Sequence, residues 1–187
     1  MELSVVVPTL NDRDELRGCL DAVAAEAPAE IVVVNGPSTD GTSGMVRDRD
    51  DVDVLVEIDE RNVNVARNAG IDRVRGEAVA FLDPQMAVES GWLAAVEEGL
   101  SAADAVTGPT HERLGAGVAT DTVEDRTIGG RNVTYFDGGN AAFDRELLVE
   151  LDGFDEYLET GGARDLAHRI AGLNCEVVWT GEMCVSR

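Results

Sequence analysis

The residues of this chain that could do chemistry are few and mostly stand alone. In "VAFLDPQMAVESGWL", Val79 to Leu93, a buried-strand pattern runs into an acidic turn, and the Asp83 at its end is followed by Pro84 and the neutral amide Gln85. A side-chain site for a hard divalent cation would be expected to offer two carboxylates. A single Asp leaves open either a weak cation site or a carboxylate that caps the turn before Pro84. Asp165 precedes Arg169 by four residues in "GGARDLAHR", the spacing of an ion pair along one helix face. His168 stands one turn from Asp165 and reads as a surface histidine, as does His111 in an irregular polar segment. Trp92 and Trp179 suit packing better than sugar stacking. Cys19, Cys175 and Cys184 are odd in number and lack CxxC spacing, which predicts free or buried thiols in a reducing compartment.

The surroundings of these residues are strongly acidic. The 187 residues carry 37 Asp and Glu against 15 basic residues, all of them Arg, for a net charge of −22. The hydrophobic share of 44% is ordinary, so the chain has the means to fold. An acid-rich surface on a normal core suits a halophilic cytoplasm, where salt screens the self-repulsion. The same field disfavours nucleic acid and anionic lipid as partners. No apolar run approaches the about 18 residues of a transmembrane segment. The fold is accordingly expected to melt at a higher temperature in molar KCl than in dilute buffer. A melting temperature that stays flat or falls as KCl is added would contradict this.

Positioning comes from alternating strands and helices. "LSVVVPTL", "AEIVVVNG", "VDVLVEI" and "AVAFLD" are apolar, β-branched runs of the kind found in parallel sheets, the first ending at Val7. Between them, residues 12–25 have helical period with Asn11 or Asp12 to cap, and "GPSTDGTSGMV" leads into a helix capped by Thr39 or Asp40. "NVNVARNAGIDRVRG" predicts a helix capped near Asn64 and ended at Gly76. Four such units imply an α/β, Rossmann-like doubly wound sheet with right-handed crossovers. Further on, 88–103 predicts a helix and "DAVTGPT" a strand, while 111–136 is polar and Gly-rich, suiting a loop or short antiparallel strands. "NAAFDRELLVELDGFDE" predicts a helix with Leu147, Leu148 and Leu151 on one face, "RDLAHRIAGLN" another, and "CEVVWTG" a last strand. No G-x-G-x-x-G follows the first strand, which argues against a dinucleotide-dependent enzyme.

Taken in order, "SVVVPTLND", "VVVNGPSTDGT", "ARNAGI", "FLDPQ", "GGNAAFDRELLVELDGFDE" and "RDLAHRIAGLN" resemble the inverting family 2 glycosyltransferases of the GT-A fold, over nearly the whole chain. The resemblance implies one domain over 1–187, with a nucleotide-sugar half at 1–108 and an acceptor-side half at 109–187. It implies a nucleotide-diphospho-sugar donor at the carboxyl ends of the strands, where open α/β sheets place ligands. The acceptor would be a hydroxyl on a glycan, lipid or protein. By motif position, Pro8, Thr9 and Asn35 would meet the nucleoside, Arg67 and Asn68 the diphosphate, and Gly138, Gly139 and Asn140 the acceptor side. An Arg near a pyrophosphate offers a charge-assisted fork.

The departures from the family pattern are specific. Asp83 occupies the Asp-x-Asp metal site, which implies Mg²⁺ or Mn²⁺, but Gln85 replaces the carboxylate that would bind it. Gly162 and Ala163 replace the Glu-Asp pair expected to include the general base, leaving Asp165 or Glu159 as substitutes. The family's His ligand after the last strand is absent from "MCVSR". Two readings follow: a sugar transferase, or a module of the same fold that binds a nucleotide sugar without turning it over.

Overall fold

The computed structural model describes residues 1–114, 117–120 and 124–187. Parallel strands β1 (Leu3–Thr9), β2 (Glu30–Asn35), β3 (Val54–Glu57) and β4 (Ala78–Leu82) are joined by helices α1 (Arg13–Glu26), α2 (Thr42–Arg47) and α3 (Val63–Ile71). Next come β5 (Ala87–Val88), α4 (Trp92–Ala102), β6 (Ala105–Thr107), β7 (Thr110–Leu114), β8 (Gly117–Thr120), β9 (Glu124–Ile128) and β10 (Arg131–Tyr135). β11 (Asn140–Asp144), α5 (Arg145–Glu150), α6 (Gly162–Gly172), β12 (Val177–Trp179) and β13 (Val185–Ser186) complete the chain. The main sheet has seven strands in the order β12-β6-β11-β4-β1-β2-β3. β5-β13-β7-β8 and β10-β9 form two smaller sheets.

Side-chain alternation sends each main-sheet strand into two cores. Val5, Val7, Val33, Ala80 and Leu82 meet Leu16 and Leu20 of α1 and Trp92 and Val96 of α4 on one face. Val6, Val32, Val34, Val79 and Phe81 meet Ala66, Phe143, Leu148, Phe154 and Ile170 on the other. Both faces are covered, which is why these strands read as continuous apolar runs.

Several boundaries differ from the sequence expectation, among them the helix expected over 88–103, which begins only at Trp92 because Ala87–Val88 form β5. β1 does not stop at Val7 but continues to Thr9. It pairs with β4 only over Leu3–Val6 and runs on along β2 alone, so Pro8 lies where one side of the strand has no partner to miss its N–H. α3 is capped by Asn62, whose side chain accepts from Asn64 N, and ends at Ile71, five residues before Gly76. "NAAFD" is not helical: it is β11, antiparallel to both β4 and β6, and the helix begins only at Arg145. β13 was not foreseen. Within 111–136 the expected antiparallel strands are present in β9 and β10, and residues 115, 116 and 121–123 lie outside the described residues.

One buried carboxylate ties β2 to the start of β4. Glu30, 3% exposed, accepts from Ser4 Oγ at 2.7 Å, Arg75 N at 2.8 Å and Arg75 Nε at 2.8 Å. Burial pushes its carboxyl up, and the donors on Arg75 and Ser4 more than offset this, holding it below the ordinary Glu range. A depressed folded value stabilises fully above the unfolded pKa, about 4.3, and that stabilisation is lost as pH falls through the folded value. Glu30→Gln should therefore flatten the acid limb of a stability-against-pH profile. An unchanged limb would show that Glu30 does not couple to folding.

Candidate functional site

A cleft of about 420 Å³ opens where β1, β2 and β4 end. Pro8, Leu10, Ile58, Val63 and Ala66 give it apolar surface beside Glu60, Arg61 and Asn62, and Asp12, Asp83, Gln85 and Arg187 line another end. A Cβ on Gly36 would stand 3.2 Å from Leu10 Cδ1 and 3.3 Å from Glu60 O, so the glycine keeps this part of the cleft open.

Asp83 is held in place by backbone. Its N–H donates to Gly139 O at 3.1 Å, and its own carbonyl accepts from Met86 N at 3.0 Å. Its two carboxylate oxygens face two guanidinium groups: Oδ1 lies 3.9 Å from Arg67 Nη2, and Oδ2 lies 4.0 Å from Arg187 Nη2. Burial pushes the Asp83 carboxyl up, with Arg67 and Arg187 pulling it down and Asp137 and Asp12 adding to the rise. Burial likewise lowers the Arg67 pKa, against Asp83 and Asp137, which favour its charge. Arg67 is 7% exposed, its Nη1 reaches Asn64 Oδ1 at 3.5 Å, and its guanidinium carbon lies 5.0 Å from the centroid of the Phe154 ring. Its Nε is buried with no hydrogen-bond partner among the described residues.

The glycines beside this pair allow the close approach. A Cβ on Gly138 would stand 2.8 Å from Arg67 Nη2, and one on Gly139 would stand 2.5 Å from Asp83 Oδ2. Any side chain at either position would displace the charged groups.

The donor set at Asp83 suits a resident divalent cation poorly. It consists of one carboxylate, the neutral Gln85 and two guanidinium groups, and no group of three His, Cys, Asp or Glu ligands converges on Asp83 among the described residues. The positive charge here is supplied by arginine.

The family pattern described as Glycosyl transferase family 2 matches residues 4–152, most of the chain. The chain belongs to that family. Glycosyltransferase AglE of Haloferax volcanii is 30% identical over 148 residues, covering 75% of this chain and 42% of the relative, so the chain spans less than half the length of that protein. The mannosyltransferase PcManGT from Pyrobaculum calidifontis, solved with GDP-Man and Mn²⁺, superposes with a TM-score of 0.78 at 24% identity, covering 100% of this chain and 56% of that one. S. aureus TarS 1-349 in complex with UDP-GlcNAc gives 0.80 at 21% identity, over 100% of this chain and 58% of the other. These likenesses show the GT-A glycosyltransferase fold.

Of the positions matched to the family motifs, the structure brings Pro8, Thr9 and Asp83 to the cleft, with Arg67, Gly138 and Gly139 packed around Asp83. Three asparagines are instead built into the frame. Asn35 is 1% exposed, donates from Nδ2 to Ser43 Oγ at 2.8 Å and accepts from Ser38 Oγ at 2.6 Å. Asn68 clasps the Phe154 backbone, Oδ1 accepting from its N–H at 2.8 Å and Nδ2 donating to its carbonyl at 2.8 Å. Asn140 accepts from Trp92 Nε1 at 3.0 Å and donates to Met183 O at 2.9 Å.

Neither substitute base is among the residues that line the cleft. Asp165 accepts from Arg169 Nε at 2.7 Å and lines a separate cavity with Asn68, Phe154 and Arg169. Glu159 is exposed. A Cβ on Gly162 would stand 2.6 Å from Asn64 Nδ2, so α6 starts with glycine because α3 lies against it. Sequence reasoning missed Arg187 and Asp137, which reach the site through tertiary packing. "MCVSR" lacks the family's histidine, and its Arg187 faces Asp83.

Proposed function

We propose that this chain binds a nucleotide-diphospho sugar in the cleft beyond β1, β2 and β4 and passes the sugar to a hydroxyl acceptor. The observation that carries the reading is the pair of arginines on Asp83, which lines one end of a cleft whose remainder carries apolar surface from Pro8, Ile58 and Ala66. A nucleoside fits the wall of Pro8, Thr9, Gly36 and Ile58, and its diphosphate then meets Arg67 and Arg187. Attack by the acceptor oxygen on the anomeric carbon breaks the bond to the diphosphate, and the arginines oppose the negative charge that departs with it. Asp83 orients both guanidinium groups. Mg²⁺ or Mn²⁺, present in the PcManGT complex, has a minor part in this reading. The acceptor, a glycan, lipid or protein hydroxyl, approaches over Gly138 and Gly139, with Glu159 or Asp165 to take its proton.

A second reading, binding without turnover, is favoured by one observation: the pairing of Asp165 with Arg169, with no carboxylate at 162 or 163 to replace it. In either case the net charge of −22 suits a salt-rich cytoplasm, and among the described residues no helix is long and apolar enough to cross a membrane.

Titrating uridine, guanosine and thymidine diphospho-sugars in molar KCl, with and without Mn²⁺, while following heat and release of nucleoside diphosphate, separates the two. The proposal expects binding that Mn²⁺ strengthens only slightly, followed by release that Glu159→Gln or Asp165→Asn reduces. Binding without release selects the second reading, and no binding of any donor would overturn both.

A further inference from the structure

The smaller sheet β5-β13-β7-β8 carries three ligand-type side chains on the face turned away from the core. Val88, Thr110 and Val185 are buried at 8%, 3% and 0% exposure, and pairing sets Val185 opposite both Val88 and Thr110. Strand alternation then turns their sequence neighbours Glu89, His111 and Cys184 to the opposite side. The backbone fixes this arrangement: Glu89 N donates to Cys184 O at 3.0 Å, Val185 N to Pro109 O at 3.1 Å and Arg187 N to His111 O at 2.9 Å. His111 Nδ1 lies 3.2 Å from Glu89 Oε1, and the ligand atoms of Glu89, His111 and Cys184 all fall within 4.8 Å of one another.

We propose that Glu89, His111 and Cys184 form a zinc site that fastens β5, β7 and β13 together. Tetrahedral coordination at ordinary Zn–S, Zn–N and Zn–O lengths sets ligand atoms about 3.3–3.6 Å apart. The His111–Glu89 pair, at 3.2 Å, opens to that spacing by about 0.1 Å, and the other separations, none above 4.8 Å, close to it by side-chain rotation of about 1 Å or a little more. One thiolate, one imidazole and one carboxylate suit Zn²⁺ and not Mg²⁺ or Mn²⁺, which take oxygen ligands. Water completes the fourth position.

The Cys184 thiol donates to Gly181 O at 2.8 Å. Burial raises its pKa, with Glu89 and then Glu182 adding to the rise. Zinc replaces that proton, which leaves to solvent, and the ion's charge then answers the carboxylate that had opposed the thiolate. The other cysteines lack such surroundings: Cys19 is buried and its thiol is pushed up to about 12 by burial and then by Asp83. The site is separate from Asp83, yet β13 (Val185–Ser186) links Cys184 to Arg187, so metal here also steadies the strand that delivers that arginine to the cleft.

Co²⁺ titration of the whole chain, stripped by chelator and kept in high salt, tests this through the thiolate-to-cobalt charge-transfer band. A cation held by Asp83 and phosphate oxygens gives no such band. The expected result is a band that saturates at one equivalent, disappears on Zn²⁺ addition, is absent in Cys184→Ser and persists in Cys175→Ser. His111→Ala should weaken Co²⁺ affinity by roughly tenfold or more. The melting temperature of metal-free Cys184→Ser should match that of the metal-free parent. No band in the parent, a band that survives Cys184→Ser, or unchanged affinity in His111→Ala would each overturn the proposal.

Discussion

Alanine at Arg67 is expected to weaken binding of a nucleoside diphosphate by roughly 10- to 150-fold, about 1.5–3 kcal/mol, the range for a hydrogen bond to a charged group. Arg67 is 7% exposed, and its guanidinium lies near Asp83 at 3.9 Å and Asn64 at 3.5 Å, contacts too long to satisfy it. Its buried Nε has no hydrogen-bond partner among the described residues, so the group keeps donor capacity. Removing Arg67 also leaves Asp83, already pushed up by burial, with less positive charge beside it, so the carboxylate would repel the incoming anion or take up a proton. Arg67→Lys restores the charge without the fork and should fall between parent and alanine variant. Calorimetric titration in high salt checks the series. Equal affinity in parent and Arg67→Ala would place the diphosphate elsewhere.

The largest loss of stability is expected from Phe81→Ala, about 3–5 kcal/mol. Phe81 is fully buried in β4, with its ring 5.3 Å and edge-on from Phe154 and 6.1 Å from Phe143. The cavity left by truncation cannot collapse easily, because Phe143 is fixed in the antiparallel pairing of β11 and Phe154 is clasped by Asn68. Phe154 also presents its ring to Arg67, so the same substitution should loosen the packing around Asp83. Denaturant unfolding in molar KCl gives the measurement. A loss under about 1 kcal/mol, the size of an average substitution, would contradict the packing argument.

Much of the sheet was legible because burial on both faces writes itself as uninterrupted Val, Ile and Leu. β11 was not, since "NAAFD" lacks β-branched residues and its alanines favour helix. It becomes a strand because β4 and β6 offer open edges on either side, information that sits tens of residues away. β13, with two residues, is too short to show any period. At the site, the lone Asp83 and its neutral neighbour Gln85 were plain from spacing. That Asn35, Asn68 and Asn140 would turn their amides into the frame was not, because motif position says where a residue stands and nothing about which neighbours its side chain answers. Arg187 carried no local signal at all, since its partner lies in "FLDP", a hundred residues upstream.

The antiparallel placement of β11 bears on how the chain is made. β6 finds its neighbours in the main sheet only in β11 and β12, and one edge of β4 waits for β11. A ribosome that has released residues 1–108 has therefore delivered β3-β2-β1-β4 with an open, apolar edge and β6 with nothing beside it. Such an edge is a template for pairing with other chains, and it stays open while the polar segment between β6 and β11 is translated. Residue 108 is therefore a poor place to cut the chain. A fragment ending there should aggregate, and one extended past Asp144 should gain solubility by closing its own sheet.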